Sequence, residues 1–139
     1  MNVVVDTSVW SLALRRKRED LSAAERSIVA ELAELIREGR ARMIGPLRQE
    51  LLSGVKTSSQ YDRLRETIEP FTDQPADSSD YEAAAQASND CRAKGIAVTA
   101  VDALLCAMAL RHGWAIFTTD PDFASYARIL AIRLHTPRT

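Results

Sequence analysis

The sequence predicts an α/β fold built on a parallel sheet, and three observations carry that prediction. A β-branched run, Val3-Val4-Val5, opens the chain; further short apolar runs recur between helical segments; and those segments carry caps and stops of their own. Strands separated by helices imply parallel pairing with both sheet faces covered. With 139 residues there is room for one substantial core, so residues 1–139 are read as one domain.

Met1 to Val5 is expected to be a buried strand. A helix follows through Trp10, Leu12 and Leu14 and ends near the basic run Arg15-Arg16-Lys17-Arg18. Ser22 to Glu25 reads as a capping box, Ile28, Val29, Leu32, Leu35 and Ile36 recur at helical spacing, and Gly39 stops that helix. Ala41 to Ile44 makes a second short strand. Gly45-Pro46 then turns into a helix carrying Leu47, Leu51 and Leu52, with Glu50 inside it, since proline is tolerated in a first turn. A further helix runs from about Ser59 to Pro70, and Pro70-Phe71-Thr72 is read as a brief strand.

Beyond the loop at Asp73 to Asp77, Ser79 to Glu82 reads as another capping box for an Ala-rich helix ending at Gly95. Thr99 to Asp102 caps the next helix, which holds Leu104, Leu105, Met108 and Leu110 and stops at Gly113. Trp114 to Thr118 is strand-like, Pro121 to Tyr126 is a short helix, and Ile129 to Leu134 is read as a last strand.

Composition removes several function classes. No apolar stretch approaches the roughly 18 residues of a membrane span, and Asp6 interrupts the first apolar run too early for a signal peptide, so a cytoplasmic protein without membrane contact is expected. A formal net charge of −1 gives no global attraction to nucleic acid, leaving any such contact to a local patch such as Arg15 to Arg18. Cys91 and Cys106 have no metal or redox spacing and read as buried thiols. His112 and His135 are solitary, so no zinc pattern forms.

Each acid of interest has an ordinary reading by itself. Asp6 fits an N-cap, Asp102 the last position of a capping box, Asp120 an N-cap before Pro121, and Glu50 a surface helix residue. Together they say more. Asp6 and Asp120 follow strands and Asp102 sits in a first helical turn, so a parallel sheet brings them to its carboxyl edge, where α/β proteins place their sites. Gathered carboxylates repel one another, and a divalent cation such as Mg²⁺ or Mn²⁺ relieves that repulsion. Such an ion lowers the pKa of a bound water and steadies charge on an attacked phosphate.

The chain resembles the PIN domain and, within it, the VapC toxins of bacterial type II toxin–antitoxin pairs. The resemblance is carried by "VVVDTSVW", "GPLRQELLSG", "TAVDALLCAMALRHG" and "FTTDPDF", in the family's order and over nearly the whole chain. It implies a three-layer α/β/α sandwich and an Mg²⁺- or Mn²⁺-dependent endoribonuclease that cuts single-stranded RNA. Carried over by position, Asp6, Glu50, Asp102 and Asp120 fall on the family's four acids, with Asp122 the alternative for the fourth. Asp6 and Asp102 are then metal ligands, Glu50 and Asp120 act directly or through waters, and Thr7, Ser8 and Thr118 stand behind them as hydroxyl partners. The implied reaction is hydrolysis leaving 5′-phosphate and 3′-hydroxyl ends.

Arg15, Arg16, Lys17 and Arg18, with Arg48 as an alternative, become candidate RNA contacts. The resemblance also implies a VapB-type antitoxin whose C-terminal segment covers the acidic groove, and a homodimer, with the apolar faces at 28–36 and 61–68 as candidate contacts. Rival readings are an RNA-processing PIN nuclease without a toxin role and a non-cleaving PIN-like binding domain. A phosphoryl-transfer enzyme fits less well: an Asp-x-Asp motif would need an acid at Ser8, and no lysine follows Lys94 as a receiver would need.

Overall fold

Val3 to Val5 forms the central strand β1 of a parallel three-stranded sheet, flanked by β2 (Ala41–Arg42) and β3 (Ala115–Phe117) in the order β2-β1-β3. Val3 pairs with Ala41 on one side and with Ala115 on the other, and Val5 pairs with Phe117. All three β1 residues are fully buried, as a strand covered on both faces requires. The structure is a computed structural model and describes residues 1–138.

The described helices are α1 (Thr7–Leu14), α2 (Ala23–Arg37), α3 (Gly45–Leu52), α4 (Ser58–Ile68), α5 (Ser78–Ala93), α6 (Ala100–His112) and α7 (Asp122–Tyr126). From β1 the chain crosses to β2 through α1 and α2, then returns past β1 to β3 with α6 as its last helix. The two crossovers run in opposite directions, so right-handed connections place α6, with α5 beside it, on the sheet face opposite α1 and α2. α1 packs on α2 and α3, α3 on α4, and α5 on α6. That is the three-layer α/β/α arrangement the resemblance implied.

Local signals explain most helix boundaries. Ser22 and Glu25 exchange the two hydrogen bonds of a capping box at the start of α2, Pro46 occupies the first turn of α3, and Thr99 caps α6 by accepting from the Asp102 amide. Gly113 ends α6 at φ +70°, a left-handed conformation that favours glycine. α6 is buried from Ala103 through Ala109, and Ala84 and Ala87 of α5 bury beside it, small side chains that allow close helix approach.

Three expectations need correction. Pro70-Phe71-Thr72 is not a strand: pairing is limited to one parallel bridge between Met43 and Asp73. Ile129 to Leu134 is not a strand either. Its first residues turn back on Tyr126, whose carbonyl accepts the Ile129 and Leu130 amides, and only Leu134 bridges to Ile116. The second capping box lies at Asp77 and Asp80, two residues before the expected one, while Ser79 donates to the Asp77 carboxylate. The early start has a packing reason, because it buries Asp80 at 1% exposure against Arg111 of α6, at 2.6 and 2.8 Å.

Candidate active site

The order β2-β1-β3 puts a reversal of chain direction at β1, and the crevice between the carboxyl ends of β1 and β3 is where such sheets bind ligands. Asp6 and Thr118 are the first residues past those two strands. The Asp6 amide donates to the Phe117 carbonyl at 2.8 Å, extending the β1 to β3 contact to the site itself.

The Asp6 side chain does not cap α1. Only its backbone carbonyl serves the helix, accepting the Val9 and Trp10 amides, and its carboxylate makes no capping bond. Instead Oδ2 accepts from Ser8 Oγ at 2.7 Å and from Thr118 Oγ1 at 2.8 Å. Those hydroxyls are fixed in turn: Ser8 Oγ accepts the Thr119 amide, and Thr118 Oγ1 accepts the Asp120 amide, both at 3.0 Å. Asp6 is 7% exposed, and Oδ1 has no hydrogen-bond partner among the described residues. One oxygen is therefore held and the other is open. Thr7 differs from this expectation, since its Oγ1 is buried and bonds to none of the carboxylates.

Asp102 occupies the first turn of α6, where the helix dipole favours negative charge. Its carboxylate does not close the expected capping box; Oδ2 accepts from the hydroxyl of Tyr126 on α7 at 2.8 Å. Burial pushes Asp102 above the usual carboxylate range. The Tyr126 bond opposes that rise, and the charges of Asp6 and Asp120 add to it. Glu50, on the exposed side of α3, is also raised, first by partial burial of its carboxyl and then by Asp6 and Asp102. These mutual effects bring Asp6, Glu50, Asp102 and Asp120 into one electrostatic neighbourhood. Asp120 bears on Asp102 directly, whereas Asp122 bears on Tyr126, and the Asp122 amide donates to Asp120 Oδ1 at 2.9 Å.

None of the four acids makes an ion pair among the described residues. The donors are all oxygen, the choice of Mg²⁺ and Mn²⁺. No three His, Cys, Asp or Glu side chains among the described residues form a ready-made cage.

Other sequence candidates take structural roles. Arg48 donates from Nε to Asp73 at 2.9 Å and from its two terminal nitrogens to the Ile68 and Phe71 carbonyls, so it clasps the end of α4 and the loop beyond. Its guanidinium is thereby engaged within the fold. His135 bonds Glu31 at 2.6 Å, and Arg138 reaches the same carboxylate at 2.9 Å, tying the C-terminal segment to α2. His112 lies in the last turn of α6 and stacks on Trp114 with ring centroids 4.4 Å apart. Cys106 is buried and its thiol is pushed up to about 12, chiefly by burial. Arg15 to Arg18 are exposed, at the end of α1 and the short 3₁₀ turn Arg18–Asp20.

Tyr126 escapes sequence reasoning. Its signal was the short helix after Asp120, with Phe123 and Tyr126 three residues apart on one buried face; the hydroxyl's partner 24 residues away was not readable.

Comparison with known proteins bears on the family and the fold. The family model for the PIN domain matches residues 3–129. Ribonuclease VapC11 of Mycobacterium tuberculosis is 30% identical over 129 residues, covering 91% of this chain and 92% of its own. Among solved structures, FitAcB from Neisseria gonorrhoeae superposes with a TM-score of 0.73 at 22% identity, over 97% of both chains. DNA-bound VapBC from Salmonella typhimurium gives 0.70 at 16% identity, again over 97% of both.

Proposed function

The chain belongs to the PIN-domain family, and on that footing we propose that it is an endoribonuclease and the toxin of a VapBC-type pair, cutting RNA with Mg²⁺ or Mn²⁺ at Asp6, Glu50, Asp102 and Asp120. The observation that carries this is the uncompensated carboxylate cluster: a nearly buried Asp6 held on one oxygen by two hydroxyls, beside Glu50 and Asp102, whose proton affinities are raised by burial and by the charges of their neighbours. The fold gains no ion pair from this arrangement, so a cation from outside is the natural counter-charge. A relative matching most of the chain is called a ribonuclease, which supports the choice of RNA.

In this reading Asp6 and Asp102 would hold the ion, with Glu50 and Asp120 binding it directly or through waters. When bound, the divalent ion supplies Lewis acidity to the attacking water and the phosphate oxygens. Ser8 and Thr118 keep Asp6 from rotating, and Tyr126 fixes Asp102, as supporting hydrogen bonds commonly do around metal ligands. Glu50, exposed and beside the Asp6 and Asp102 charges, is suited to take the proton of the attacking water. In-line displacement of the 3′ oxygen leaves 5′-phosphate and 3′-hydroxyl ends.

The partners in this reading are RNA, a VapB-type antitoxin covering the acidic groove, and a second copy of the chain; the setting is the cytoplasm. Among the described residues no helix is long and apolar enough to cross a membrane. Of the helical faces considered for partner contacts, Leu32, Leu35, Leu64 and Ile68 bury in the core, leaving Ile36 and Tyr61 exposed for that purpose.

The test is induction of the gene in a bacterial host, followed by mapping of new RNA ends. Growth arrest with new 5′-phosphate ends is expected, and Asp6→Asn should show neither. Equal toxicity from both proteins, or cyclic-phosphate ends, would count against the proposal.

A further inference from the structure

We infer that the groove at the far end of α1 is a track for the RNA backbone, holding the strand a few nucleotides away from the acidic cluster. The inference rests on the ribonuclease reading and adds to it a groove in which Lys56 and Arg63 join the basic run at Arg15 to Lys17. The groove has a volume of 660 Å³ and lies between the turn after α1, the turn after α3 and the side of α4. Five cations line it, Arg15, Arg16, Lys17, Lys56 and Arg63, and no acidic side chain does. In a chain of net charge −1, that is a local concentration of positive charge.

Arg16 is paired with Glu25 at 3.1 Å. Arg15, Lys17, Lys56 and Arg63 make no ion pair among the described residues and are exposed, so they are free to meet an outside anion. Lys56 and Arg63 are far from the basic run in sequence and join it only through the packing of α1, α3 and α4.

The position relative to the acids points to the occupant. α1 starts directly after Asp6 and runs into Arg15 to Lys17; α3 carries Glu50 and leads through Gly54, at φ +81°, to Lys56. The two helices pack together, so both lead from the acidic cluster to the groove. The 8 residues of α1 span about 12 Å at 1.5 Å per residue. That distance corresponds to roughly three to four nucleotides of stacked strand. Its floor is aliphatic, with Leu14, Val55 and Leu64, and no aromatic ring lines it. Without a stacking platform the groove reads phosphates, not bases, and contributes affinity and register without sequence preference.

The test measures salt dependence of binding in the full-length Asp6→Asn protein. The probe is a fluorescent single-stranded RNA of about 12 nucleotides, within the site sizes such grooves cover, followed by anisotropy. Arg15→Ala, Lys56→Ala and Arg63→Ala are added together, and circular dichroism checks that the fold is kept. Each lost single-strand phosphate contact lowers the slope of log affinity against log salt by about 0.7, so three lower it by about 2. Between about 50 and 200 mM salt, the parent should therefore lose about 20-fold more affinity than the triple variant. Lys94→Ala, at the end of α5, should leave the slope unchanged.

Equal slopes and affinities would overturn the groove while leaving the ribonuclease reading in place. Absence of RNA binding by the parent, with no cleavage by the wild type, would overturn both. If the triple variant keeps its RNA slope but loses a labelled glutamate-rich peptide, the groove serves an acidic protein segment and the inference fails.

Discussion

Replacing Tyr126 with Phe removes one oxygen from a residue only 1% exposed, and with it the donor 2.8 Å from Asp102 Oδ2. The ring keeps its edge contact with Phe123, at 5.1 Å between centroids, so packing changes little. A hydrogen bond to a charged partner is worth about 1.5–3 kcal/mol net, and one between neutral groups about 0.5–1.5. In metal-free protein at neutral pH, with Asp102 ionised, the variant should therefore lose about 2 kcal/mol, or roughly 7 °C in Tm for a chain of this length. The Tyr126 bond also holds Asp102 down against burial and the charges of Asp6 and Asp120, so its loss raises Asp102 further. The sign follows: the penalty is largest where the carboxylate is charged and shrinks as acid protonates it. Thermal unfolding in EDTA at neutral and mildly acidic pH measures the effect, with Asp102→Asn as a second background. In that background Tyr126→Phe should cost only about 1 kcal/mol, the neutral-bond value. A Tm loss independent of pH and additive with Asp102→Asn would refute the reasoning.

Ser8→Ala and Thr118→Val each release one of the two donors on Asp6 Oδ2, and each should lower kcat/KM for RNA cleavage about 10- to 100-fold; values within twofold of wild type would remove these hydroxyls from the account. Because Glu50 and Asp102 are both raised in the fold, the folded protein binds protons more tightly than the unfolded chain, and metal-free stability should fall as pH rises from the ordinary carboxylate range through their raised values. Adding Mg²⁺ at about 100 times its Kd should return about 2.7 kcal/mol, seen as a Tm rise of roughly 10 °C in calorimetry. Arg111→Ala strands the Asp80 carboxylate, which the Asp77 amide alone then serves; with Arg111 itself 42% exposed, the loss should be about 2–3 kcal/mol by urea unfolding. Arg111 holds Asp80 below its usual range, so wild-type stability should fall as acid protonates Asp80, and the variant should lack that part of the decline.

Elements with local causes were legible in the sequence. β1, the capping box of α2, Pro46 in α3 and the Thr99 cap with its Gly113 stop each depend on residues within a few positions, and those signals survive folding intact. The strands at Pro70 to Thr72 and Ile129 to Leu134 were misread because local composition does not fix pairing, which is a tertiary matter. The two segments make one isolated bridge each, Asp73 to Met43 and Leu134 to Ile116, and the residues around those bridges follow turns. Asp77 and Ser79 are comparable caps, and the choice between them is made by Arg111 on another helix. At the site, the sheet edge that gathers the acids could be foreseen from the alternation of strands and helices, with Asp6 and Asp120 each just past a strand. The hydroxyl clamp on one oxygen of Asp6, the Tyr126 contact and the clasp made by Arg48 all join residues far apart in sequence, and no periodicity encodes them.

The most direct test of the carboxylate cluster as a metal-dependent nuclease centre is cleavage of a single-stranded RNA by purified protein while Mg²⁺ or Mn²⁺ is titrated, with Asp6→Asn and Asp102→Asn in parallel. Wild-type cleavage should rise and saturate with the metal and vanish in excess EDTA. Both variants should stay inactive at every concentration while unfolding cooperatively. Full activity in EDTA, or unchanged cutting by either variant, would contradict the account.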